Sequence, residues 1–127
     1  ADPTYPGTAE RSVHRVDKLY YFVETKETLD AYQQAFGELA MEIDGQVRTP
    51  VGWEPWAVTT RVDTSRYYQQ VWKAVACHRS QLPGYQALMD LSEVQRRTLF
   101  ATQSLYRAYS LVNGGRAVET DLFTGLR

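Results

Sequence analysis

Cys77 is the only cysteine among the 127 residues of this chain. An intrachain disulfide is therefore excluded, and a lone thiol fits a reducing compartment. An excess of charge of either sign is also missing: 14 Lys+Arg stand against 15 Asp+Glu, for a formal net charge of −1. Without a basic surplus on one face there is no electrostatic footprint for nucleic acid. No apolar run approaches the roughly 18–20 residues of a membrane span. The opening residues Ala1-Asp2-Pro3-Thr4 show neither an initiator Met nor a charged-then-apolar leader, so no secretory signal is expected. These absences together predict a cytoplasmic protein. Nitrogen and sulfur ligands are scarce, with only His14, His78 and Cys77 to offer and no H-x-x-H, C-x-x-C or H-E-x-x-H spacing. On a helix Cys77 and His78 diverge by roughly 100°, so they do not readily share a metal. The chain alone is expected to bind no zinc. A phosphate loop is missing as well, because Gly114-Gly115 follows a predicted helix instead of opening one.

What is present suits one folded domain. Hydrophobic residues make up 43% and aromatic residues 13%, enough for a core and too much for a disordered chain. Residues 1–15, with Pro3, Pro6 and Gly7, read as an arm or linker. From Val16 to Val23 the unbroken apolar run Leu19-Tyr20-Tyr21-Phe22-Val23 predicts a strand buried on both faces, of the kind found in parallel sheets. Leu29, Tyr32, Phe36, Leu39, Ala40 and Ile43 then recur at helical spacing, with Thr25 or Thr28 as cap and Asp44-Gly45 as stop.

A loop follows from Gly45 to Pro55. Residues Ala57 to Asp63 alternate as a half-buried strand near a sheet edge. Asp63-Thr64-Ser65 offers caps for a helix with the stripe Tyr68, Val71, Trp72 and Val75, which should stop before Pro83-Gly84. Ser92-Glu93-Val94-Gln95 matches a capping box, and the helix it opens is expected to run to Val112, ahead of Asn113-Gly114-Gly115. Residues 116–127 form a tail with an apolar centre. The pattern is α/β, but two predicted strands make a poor sheet, so this sheet is expected to be incomplete within the chain.

His78-Arg79-Ser80-Gln81, where the second helix ends, is the segment with most chemistry. His78 falls on the apolar stripe, and four polar side chains in succession suit the mouth of a site. A plainer role is also open, with His78 favoured by the negative helix end and Arg79 capping carbonyls. Trp53 and Trp56, flanking Glu54-Pro55, either stack on a sugar ring or pin their loop to the core. Cys77 lies four residues from Lys73, which favours a thiolate, but no partner base is evident and a structural role is expected.

Several segments, taken in order, resemble the PIG-L/LmbE-like zinc-dependent de-N-acetylases. They are Ala1-Asp2-Pro3-Thr4-Tyr5-Pro6, Val16-Asp17-Lys18-Leu19-Tyr20-Tyr21, Thr60-Arg61-Val62-Asp63-Thr64-Ser65, Lys73-Ala74-Val75-Ala76-Cys77-His78-Arg79-Ser80-Gln81 and the tail from Glu119-Thr120-Asp121-Leu122-Phe123 to Arg127. The H-R-S-Q helix end and the E-T-D-L-F tail are the more specific of these. The resemblance covers only the C-terminal half of such an enzyme. It implies that residues 1–127 are the C-terminal portion of a Rossmann-like three-layer fold. The zinc of the complete enzyme would be held by His-Pro-Asp motifs that this sequence lacks, so no catalytic or metal-binding residue carries over.

His78 and Gln81 are the expected substrate-binding residues. The partners implied are the N-terminal half of the same enzyme or another polypeptide, an acylated amino-sugar substrate of the N-acetylglucosamine type, and possible copies of the chain itself. The alternative is a non-catalytic α/β binding or assembly module.

Overall fold

The computed structural model describes residues 14–80 and 86–127. In chain order its elements are β1 (Lys18–Phe22), α1 (Lys26–Phe36), β2 (Met41–Ile43), β3 (Gln46–Arg48), a 3-10 turn (Pro55–Ala57), β4 (Thr60–Asp63), α2 (Tyr68–Ala76), α3 (Gln86–Met89), α4 (Glu93–Phe100) and β5 (Thr102–Ser110). The α/β class expected from the sequence holds in this coarse form. The expected arm, residues 1–15, lies outside the described residues except for His14 and Arg15, both exposed.

The sheet departs from expectation. It has three strands in the order β1-β5-β4, every pair antiparallel, with β2 and β3 forming a separate hairpin. Strand β1 is therefore not the doubly buried parallel strand that its apolar run predicts. Among the described residues it pairs with β5 alone, with Leu19 opposite Tyr109, Tyr21 opposite Tyr106 and Phe22 opposite Leu105, and Leu19, Tyr21 and Phe22 are exposed. An antiparallel sheet tolerates an open face, and composition alone does not reveal which kind of sheet a short apolar run joins. The expected deficit of strands is corrected too, since β5 lies in what reads as the second half of the last helix. That helix, α4, starts at the expected capping box: the Ser92 side chain accepts from the Gln95 amide, and the Gln95 side chain accepts from the Ser92 amide at 2.9 Å. It stops at Phe100. Thr102–Leu105 then pair with β4 and Leu105–Ser110 with β1, so two neighbours take up successive parts of the strand's backbone.

The first helix is also shorter than predicted. Thr25 caps α1 by accepting from the Thr28 amide at 3.2 Å, and Gly37, at φ 83°, ends it. Asp44-Gly45 does not stop a helix but turns the β2–β3 hairpin. Both residues have positive φ, 53° and 72°, which matches the right-handed twist of the paired strands. Asp63 does not cap α2, whose N-cap is Tyr67. It holds the preceding turn by accepting from the Ser65 amide at 2.8 Å, which lowers its carboxyl below the usual range.

The helices gather into one cluster. Leu91, Leu99 and Phe100 are buried at its centre, with Tyr32, Ala35 and Phe36 of α1 and the predicted stripe Tyr68, Val71, Trp72 and Val75 of α2 packed round them. Trp72 meets Phe100 with ring centroids 5.8 Å apart. None of the described helices is long and apolar enough to cross a membrane.

Candidate functional site

The helix end singled out from the sequence is not gathered into a site by the described residues. The backbone amide of His78, two residues past the end of α2, donates to the Val75 carbonyl at 3.0 Å, and His78 is exposed, as are Cys77, Arg79 and Ser80. Gln81 lies outside the described residues. Cys77, for which a structural role is expected, is a free surface thiol at the C-cap of α2. Of the two loop tryptophans, Trp53 pins its segment: its ring centroid lies 5.3 Å from that of Tyr106, and its amide donates to the Glu24 carbonyl at 2.8 Å. Trp56 is 85% exposed and pins nothing.

The densest polar chemistry lies elsewhere, on Glu119. After β5, the chain turns back through Asn113-Gly114-Gly115, with Gly115 at φ 90°. Glu119 then pairs in parallel beside β4: its amide donates to the Thr59 carbonyl at 2.9 Å, and its carbonyl accepts from the Arg61 amide at 2.8 Å. The side chain crosses the sheet, and the residue is 6% exposed. Oε1 accepts from Lys18 Nζ at 2.8 Å and from the Asn113 amide group, and it forms an ion pair with Arg107 Nη1 at 3.0 Å. Oε2 accepts from the Tyr20 hydroxyl at 2.8 Å and the Thr60 hydroxyl at 2.9 Å.

Desolvation alone would raise this carboxyl. The hydrogen bonds from Lys18, Asn113, Tyr20 and Thr60 outweigh it and hold the group down to about 2. Burial works against the Lys18 ammonium, but its bond to Glu119 prevails and lifts it above its usual value; Tyr20 is lifted chiefly by burial. Lys18 also donates to the Leu122 and Thr124 carbonyls at 3.1 and 2.9 Å, so its three protons are all placed on the 119–124 segment. A carboxylate with four hydrogen-bond donors, a second cation beside it and so low a pKa accepts no further proton near neutrality. Glu119 is a lock for the tail and not a base.

Two cavities have ionisable side chains in their walls. One, of about 290 Å³, lies between α2 and α4. There Tyr68 donates to Glu93 at 2.8 Å, and Arg96 lies 4.6 Å over the Trp72 ring. Its charged side chains are Lys73, Arg96 and Glu93, two cations against one anion. The other, of about 150 Å³, lies where α1, α2 and α4 meet the ends of β1 and β5, and Glu24 and Tyr32 are part of its wall. Burial pushes the Glu24 carboxyl up, and burial together with the Glu24 charge pushes the Tyr32 phenol up to about 12. Neither cavity is lined by His78.

Neither the Glu119 network nor the Glu24 cavity is evident in the sequence. Glu119 carries no local signal, since its partners Lys18, Tyr20, Thr60 and Arg107 come together only through the sheet pairing. Among the described residues, no three His, Cys, Asp or Glu side chains are placed to share a metal ion. Comparisons with protein families, with curated proteins and with solved structures find no match.

Proposed function

We propose that this chain is the C-terminal portion of a zinc-dependent N-deacetylase of the PIG-L/LmbE-like kind. The complete enzyme would hydrolyse the acetamide of an N-acetylglucosamine-type substrate, with this portion finishing a Rossmann-like fold and walling the pocket. One observation carries the reading. Three of the segments on which the resemblance rests meet at a single point, as Lys18 and Tyr20 from the first, Thr60 from the second and Glu119 from the tail share one hydrogen-bond network. Segments that are individually weak as motifs thus have a common physical reason to occur together. The exposed Leu19, Tyr21 and Phe22 add support, because a sheet completed by further chain would cover them.

The described residues do not fit a zinc ion, since they offer no three-ligand group. Its ligands and the catalytic base would come from the N-terminal half of the same enzyme or from another polypeptide. The contribution left to this chain is to shape the pocket, with His78 and Gln81 as the residues assigned to substrate. The exposed His78 imidazole, just past the end of α2, would offer a hydrogen-bond donor and an acceptor to a hydroxyl-rich group.

The test uses the full-length gene product, with acetate release from an N-acetylglucosamine conjugate and elemental analysis as readouts. One zinc per molecule is expected in the whole enzyme and none in residues 1–127 alone. His78→Ala should lower kcat/KM by about tenfold, roughly 1.4 kcal/mol of transition-state stabilisation, with Tm nearly unchanged. A metal-free, inactive full-length product, or a stoichiometric zinc on this chain alone, overturns the reading. Full activity in the His78→Ala variant withdraws His78 as a substrate residue. The outer edge of β1, unpaired among the described residues, and the exposed Trp56 favour a second reading, a non-catalytic module that adds a partner strand. Cooperative unfolding of a dilute, metal-free monomer of this chain would favour that module.

A further inference from the structure

Glu24 stands between the end of β1 and the Thr25 cap of α1, in the wall of the 150 Å³ cavity. Its backbone is fixed there, since its carbonyl accepts from the Trp53 amide. Phe22, Val71, Val75, Leu99 and Phe100 make most of the remaining wall apolar, and no Lys, Arg or His among the described residues lines it. Among the described residues, burial is the sole influence on the Glu24 carboxyl, with no hydrogen bond or cation to offset it. The contrast with Glu119 is direct: one carboxylate has four hydrogen-bond donors and a second cation, the other has none from the described residues.

An uncompensated carboxylate facing an apolar hollow costs free energy unless a cation enters with its own hydrocarbon. A hard metal ion is a poor fit, because it needs six or more oxygen ligands and this wall has one carboxylate. We propose that this cavity is a binding site for a small alkylammonium ion, its nitrogen paired with Glu24 and its hydrocarbon part filling the space between Val71, Val75 and Leu99. A cavity of this volume holds a guest about the size of benzene, so the ligand has about four to six carbons. This site stands apart from the deacetylase reading and does not depend on it.

The probe is n-butylammonium chloride, titrated into the intact protein near neutral pH and followed by backbone amide chemical shifts, with n-butanol as the uncharged control. Saturable shifts confined to Thr28, Tyr32, Leu99 and their neighbours are expected, with butanol binding at least about tenfold more weakly. Glu24→Gln should weaken butylammonium about tenfold and leave butanol unchanged, and Val75→Phe, which fills the hollow, should abolish both. Should Glu24→Gln not fold, the preference of the wild type for butylammonium over butanol and its loss in Val75→Phe decide the matter. Nα-acetyl-lysine methylamide separates the two sources of such a group. Tighter binding of that compound than of butylammonium assigns the cavity to a lysine of a second polypeptide and overturns the free-ligand form. Absence of saturable shifts up to ~100 mM butylammonium overturns the site altogether, as does undiminished binding in a folded Glu24→Gln variant.

Discussion

Glu119→Ala is expected to cost about 3–5 kcal/mol of stability, because it leaves Lys18 and Arg107 buried without their counter-charge. Their side chains are only 4% and 9% exposed, so water cannot take the place of the carboxylate. Glu119→Gln keeps the size but not the charge, and should lose most of the same amount. Urea denaturation at neutral pH measures both, and a loss below about 1 kcal/mol in the Ala variant would mean the network is not the tail's anchor.

The wild-type pH profile gives an independent check. The carboxyl titrates at 4.5 in the unfolded reference and at about 2 in the fold. A depressed folded pKa means that the unfolded chain binds protons first as pH falls. The contribution of Glu119 is therefore complete above about 4.5 and is lost progressively as pH drops from there towards about 2. Lys18 runs the other way: its folded pKa lies above 10.5, so its contribution is complete below that value and is lost as pH rises through the raised one. Acid unfolding should therefore release the tail and the sheet together. Retention of sheet amide protection at about pH 2, with the tail already exchanging, would contradict the lock.

Gly52→Ala is expected to cost about 2–3 kcal/mol, although the added methyl is small. A β-carbon at that position would lie 2.6 Å from both the nitrogen and the α-carbon of Lys26, and 2.9 Å from the Thr25 carbonyl carbon. These are backbone atoms at the start of α1 and cannot rotate aside. The strain falls on the Thr25–Trp53 bridge, and with it on the stacking of Trp53 against Tyr106. Thermal unfolding should show a lower Tm, and Trp fluorescence should shift to the red as Trp53 leaves its ring partner. An unchanged Tm would mean that the loop relaxes away from α1 at little cost.

Signals confined to a few neighbouring residues are legible in the sequence. Ser92 and Gln95 satisfy each other's amides three residues apart, and the Tyr68, Val71, Trp72 and Val75 stripe needs only one helix to express itself. Of the two caps that Thr25 and Thr28 offer for α1, Thr25 is the one used. Where a segment's fate depends on a distant partner, the local pattern misleads. Leu105, Tyr106, Arg107 and Ala108 are acceptable helix residues, and they become strand because β4 pairs with β5 as far as Leu105 and β1 from Leu105 onward. Asp44-Gly45 permits positive φ in either role, helix stop or hairpin turn, and only the pairing of Met41 with Arg48 separates the two. The polar network is the least accessible of all, since Lys18 and Glu119 stand 101 positions apart and neither is unusual in its own neighbourhood.

That separation also governs how the molecule assembles in time. The strand order places β5 between two strands that precede it in the chain, so during synthesis β1 and β4 emerge first, with no partner yet made. The β2–β3 hairpin closes over Asp44-Gly45 and needs nothing else, on a scale of about 1–10 μs. The sheet must instead close loops of roughly 40 and 80 residues, the pairings that slow folding most. Throughout that wait Leu19, Tyr21 and Phe22 stand on an open strand beside other nascent chains, a ready template for mispairing. The interval ends when β5 leaves the ribosome, and Glu119, close behind it in the chain, then fastens the first strand to the last segment.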